Sequence, residues 1–142
     1  MEIKKLLLAS LATMSLCSTP LLAQADALVT NNDTNFDSTC VINDGSCSTV
    51  LGQVGVTKAH EQHHVIDAST VWFACIANRR NCKADVYMTN HCNDNNEPSV
   101  ATVVFDVSSG IKSITMHDSN YAITAVAPFE ITIAGGTSIA KK

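Results

Sequence analysis

His60-Glu61-Gln62-His63-His64 is the stretch of this 142-residue chain whose residue types and spacing point most directly to chemistry. On a helix, His60 and His64 would stand one turn apart on the same face, where two imidazoles chelate zinc. Glu61 would then polarise a metal-bound water as general base. His91, His117 and Asp118 are of the right kind to supply a third ligand. Asp33-x-Asn35-x-Asp37 has the alternating oxygens that open a calcium loop. Ser38, however, stands where the sharp-turn glycine belongs, and Asp44 stands where a bidentate Glu would close the loop.

The pentad at 60–64 resembles that of the zinc-dependent metalloproteases, over these five residues alone. The resemblance implies a long buried helix and a third ligand further along the chain. The flanking sequence supports neither. Lys58, Gln62 and His63 make the stretch polar on nearly every side, and Ala68-Ser69-Thr70 before the strand-like Val71 leaves room for two or three turns. The expectation is a solvated His-rich loop or edge strand, with no catalytic residue, no metal ligand and no cofactor. The alternative is a minimal zinc hydrolase with His60 and His64 as ligands and Glu61 as base. Clustered histidines also suggest a pH response, since acid charges them together and would loosen a packed edge.

The second source of chemistry is the cysteines. Cys40, Cys47, Cys75, Cys82 and Cys92 lie in the body of the chain, and an odd number in an exported protein leaves one thiol over. Cys82 and Cys92 flank one predicted strand and would lie roughly 30 Å apart, beyond disulfide reach. Cys75 and Cys82 bracket the turn at Asn78–Asn81, and Cys40 and Cys47 bracket Asp44-Gly45. The expected pairs are therefore Cys40–Cys47 and Cys75–Cys82, with Cys92 free; the runner-up joins Cys75 to Cys92. Short loops of this kind contribute about 2–3 kcal/mol each. No C-x₂₋₄-C spacing speaks for a zinc–cysteine site.

The elements that hold these residues follow from the chain's organisation. Met1-Glu2-Ile3-Lys4-Lys5 is a short basic start, Leu6–Leu16 is apolar but too short to span a bilayer, and Ala23-Gln24-Ala25 fits a signal peptidase. Residues 1–25 are thus expected to be a signal peptide, and the product to be secreted or periplasmic, where disulfides persist. Leu16 before Cys17 does not suit a lipid-anchor cysteine. Losing Glu2, Lys4 and Lys5 takes the formal net charge from −4 to −5. That charge argues against nucleic acid, and no second apolar stretch reaches membrane-spanning length.

Residues 26–39 are polar and read as a mobile lead-in, 40–136 as one domain, and 137–142 as a tail. Asn32-Asp33-Thr34 is a formal glycosylation acceptor. Val71–Ala77 is a continuous apolar run of strand length. Lys83–Thr89 and Ala101–Val107 alternate, Ile111–Met116 and Tyr121–Val126 run between turns, and Phe129–Ile133 closes the series. Six to eight short strands imply an all-β fold, a small antiparallel β-sandwich or open barrel. Trp72 belongs to its core. The function expected is a non-enzymatic binding or structural module, meeting a protein or glycan outside the cytoplasm through loops 57–70, 78–82 and 90–98. A pilus-like subunit completed by strand exchange is a further alternative.

Overall fold

The computed structural model describes residues 25–93 and 96–136. The expected signal peptide, apart from Ala25, and the tail at 137–142 lie outside them. Among the described residues, eight strands form two four-stranded sheets packed as a sandwich, without barrel closure. One sheet has the order β3 (His64–Ile66), β1 (Leu28–Asn32), β8 (Glu130–Gly135), β7 (Tyr121–Ala127). The other has the order β2 (Thr39–Ile42), β4 (Cys82–Tyr87), β5 (Ala101–Asp106), β6 (Gly110–Met116). The all-β sandwich is thus the fold the sequence implies. It departs from a fully antiparallel one at β1, which runs parallel to β8.

Alternation places the core. In β4 and β5 every second residue is buried, which aligns Cys82, Ala84 and Val86 with Ala101, Val103 and Phe105 on the inner face. Ile123 and Ile133 come from the opposing sheet and complete the same core. Among the described residues, no helix is long and apolar enough to cross a membrane.

Two expected elements change. The polar lead-in at 26–39 contains β1, which is held on both edges, by β3 and by β8. Its polar residues serve the fold: the wholly buried Asn32 side chain donates to the carbonyls of Phe36, Thr57 and Lys58 and accepts from Thr34. The expected strand at Val71–Ala77 is instead the end of a short helix, α1 (Ala68–Ala74), and the turn that follows it. Asp67 caps it, accepting from Thr70 N at 2.8 Å, and Val71 and Cys75 are buried one turn apart while Phe73 and Ile76 stay exposed. The cap at 67 and the spacing of the buried pair are helical signals that a continuous apolar run masks.

Candidate functional site

The H-E-x-x-H pentad is not helical. His60 and His63 have φ of 62° and 56°, and His64 opens β3, so no helix face presents His60 and His64 together. Contacts from the pentad hold the loop at 58–63 against the end of β1 and the segment after it. His60 Nε2 donates to Asn35 Oδ1 at 2.7 Å, Gln62 to Asp33 Oδ1, and the His63 amide to Asn31 Oδ1. The acidic residues of the calcium-like segment are used the same way, with Asp37 accepting from the Ala59 amide.

Glu61 is committed through both oxygens, one accepting from Lys58 N and the other from His64 Nδ1, each at 2.8 Å. Burial pushes its carboxyl up, but the Lys58 amide and His64 outweigh that and hold it below the ordinary carboxylate value. His64 Nε2 meets the Val54 carbonyl at 2.7 Å. Both ring nitrogens of His64 are thus engaged within the protein, one by Glu61 and the other by the Val54 carbonyl. Among the described residues, no group of three or more His, Cys, Asp or Glu side chains is placed to hold a metal ion.

The cysteines correct one expected pair. Cys75–Cys82 closes, with Cα atoms 5.5 Å apart, and ties the end of α1 to the start of β4. Cys40–Cys47 does not. Cys47 bonds to Cys92, and Cys40 is the free thiol in place of Cys92. The register explains why. Cys47 lies opposite Val41, so it shares that residue's face of the strand, and Cys40 points to the other face. Thr39, on the same face as Val41, accepts from the Cys92 amide at 2.8 Å and donates to the Thr89 carbonyl, which holds the loop after β4 in place for the bond. Burial pushes the Cys40 thiol up to about 11.

A different feature dominates the molecule. Between the sheets lies a cavity of about 620 Å³, a size common for small-molecule sites. Val86, Val103 and Phe105 line it from one sheet and Leu28, Ile131 and Ile133 from the other. No charged side chain is among its lining residues. Its rim is built by a 3₁₀ segment, Ser48–Gly55, and by α1. The segment forms a closed lip. Ser48 Oγ donates to the Gly55 carbonyl at 2.6 Å, and the two backbones approach so closely that a Cβ at Gly55 would sit 1.7 Å from the Ser48 carbonyl oxygen. Gly52, at φ 72° and ψ −142°, kinks the lip in a conformation few other residues adopt. Val50 is 73% exposed at its tip and Phe73 is 68% exposed on α1, yet both also line the cavity. The apolar interior therefore continues onto the surface. The Cys47–Cys92 bond and the His64–Val54 contact anchor the lip from two sides.

Trp72 is half-buried against the core, with the Arg79 guanidinium 3.7 Å from its ring centroid, and is not a lining residue of the cavity. Of the loops expected to make contacts, 57–70 braces the lip through His64, while 78–82 carries Arg79 and the half-cystine Cys82. Sequence reasoning missed the lip and the cavity; the exposed apolar run Val50, Leu51 and Val54 was their signal.

The chain was compared with known proteins. A model of the family described as the type II secretion system substrate NttC matches residues 3–136. The chain belongs to the NttC family. It is accordingly an exported protein. None of the curated proteins matches it. The crystal structure of the Legionella pneumophila type II secretion system substrate NttC aligns with a TM-score of 0.61 and 23% identity. That alignment covers 77% of this chain and 96% of the other. Likeness at that identity carries the sandwich fold to this NttC-family chain and no functional residue.

Proposed function

We propose that this chain is released through a type II secretion system and acts outside the cell as a non-enzymatic binding module for an apolar ligand. The observation that carries the reading is the inter-sheet cavity, about 620 Å³ with an uncharged lining that reaches the surface at Val50 and Phe73. Such a lining binds by desolvation and supplies no charged acid or base, and burial keeps its free thiol, Cys40, protonated. The residues that could have done hydrolysis are occupied elsewhere: Glu61 and His64 hold each other and the lip. β1 fills its place between β3 and β8 from within the chain, where a strand-exchanged subunit would take a partner's strand.

The test is a titration of the mature, disulfide-bonded protein with N-phenyl-1-naphthylamine, a neutral dye that fluoresces in apolar surroundings. Saturable binding of one dye per chain is expected, lost on unfolding. Absence of binding would overturn the proposal. So would one tightly held zinc per chain that disappears in a His60→Ala/His64→Ala variant, since the metal-dependent alternative would then stand.

A further inference from the structure

Resting on that reading, the nature of the cavity narrows what its ligand is. The lining favours an apolar buried part of the ligand. It offers no charge and no side-chain amide, and among its serines and threonines Ser48 spends its hydroxyl on Gly55, Thr39 on Thr89 and Cys92, and Ser69 on Asp67. A peptide would bring backbone N–H and C=O groups against a wall that is mostly aliphatic and aromatic, at a cost of several hydrogen bonds. The space is also a slab. Two packed sheets stand about 10 Å apart, and Phe129 just before β8, with Ile131 and Ile133 on it, line the space over a length of about 13 Å at the usual rise per residue. The ends differ as well: Phe105 and Ile133 are 1% exposed at the floor, whereas the lip and α1 hold Val50 and Phe73 in water.

We propose that the cavity takes the hydrocarbon tail of a single-chain amphiphile, a long-chain fatty acid or a lysophospholipid, inserted tail-first between the lip and α1. The polar head stays outside, beside the hydroxyls of Ser46 and Ser69 at the rim. The exposed apolar residues of the lip and α1 are the surface along which the tail slides in.

The experiment uses the mature protein with both disulfides intact and cis-parinaric acid, an eighteen-carbon fluorescent fatty acid, as the probe. One probe per chain is expected. Palmitate and monomeric palmitoyl-lysophosphatidylcholine should displace it, and octanoate should compete at least about a hundredfold more weakly, since each buried methylene adds to affinity. Phe73→Asp and Val50→Glu, both at exposed positions, should each weaken binding about tenfold with an unchanged melting temperature. Ala84→Phe, which places a ring in the slab, should abolish it; should that variant fail to fold, the two rim variants decide. If palmitate competes and lysophosphatidylcholine does not, the ligand is the fatty acid; the reverse selects the lysolipid. Several probes per chain, indifferent to the rim variants, would mean surface adsorption and overturn the inference. So would equal competition by octanoate, or displacement of the probe by a sterol alone. Binding of N-phenyl-1-naphthylamine without cis-parinaric acid would refute the acyl chain and leave the apolar binding module standing; binding of neither would remove both.

Discussion

Replacing Cys47 and Cys92 together by serine should be the most costly way to remove a covalent link from this protein. The two residues are 45 apart in sequence, against 7 for Cys75 and Cys82, so the chain-entropy relation gives about 4 kcal/mol for the first bond and about 2.4 kcal/mol for the second. Folded domains of this size are stable by roughly 5–15 kcal/mol, so loss of the first bond removes a large share and loss of the second a smaller one. The double variant is required because removing one cysteine alone would leave its partner as a second free thiol beside that of Cys40. Urea unfolding of wild type, Cys47→Ser/Cys92→Ser and Cys75→Ser/Cys82→Ser gives the two differences. Peptide mapping checks the connectivity directly. Trypsin cuts after Lys58, Arg79, Arg80, Lys83 and Lys112, which puts Cys40 and Cys47 on one peptide and Cys75, Cys82 and Cys92 on three others. Without reduction, the peptide ending at Lys58 should therefore be joined to the one ending at Lys112. Recovery of the latter as a free peptide, or a Cys47→Ser/Cys92→Ser variant no less stable than Cys75→Ser/Cys82→Ser, would refute the reasoning.

Three further outcomes are expected. Asn32→Ala should cost about 3 kcal/mol or more in thermal or urea unfolding, because three carbonyls and the Thr34 hydroxyl lose their partner in a wholly buried site; a cost under 1 kcal/mol would mean that water replaces the amide. Glu61 has a lowered pKa in the folded state, so its contribution is present above the ordinary carboxylate value and disappears as pH falls through the lowered one. Glu61→Gln should thus be less stable than wild type at pH 6, by no more than about 1 kcal/mol since the Glu61 side chain is one-third exposed, and should match it near pH 3; a gap that persists in acid would assign the effect to packing. The Cys40 thiol, pushed up to about 11 by burial, should resist iodoacetamide at pH 8 in the folded protein and react at once in urea. Rapid labelling of native protein would show that the strand carrying it opens.

Much of the sandwich was legible along the chain because alternation is a local property. Ala84 and Val86 on β4, and Val103 and Phe105 on β5, lie inward as the two-residue period requires. The candidate site was far less legible. H-E-x-x-H is a pattern whose meaning depends on a helix, and two residues of positive φ there remove the helix. The cavity was invisible for the opposite reason: its walls come from segments as far apart as Leu28 and Ile133, and no short spacing in the sequence announces them.

By itself, the sequence determined the export context, the all-β fold and which faces of its later strands turn inward, since each depends on composition or on neighbours two residues away. Tertiary structure alone decided the partners. It placed Cys47 opposite Val41 and so within reach of Cys92, turned the polar segment at 26–39 into a central strand by giving its amides buried acceptors, and set the lip and α1 at the mouth of an apolar slab. These contacts join residues tens of positions apart, and their energies come from burial and register, which exist only once the two sheets have closed on each other.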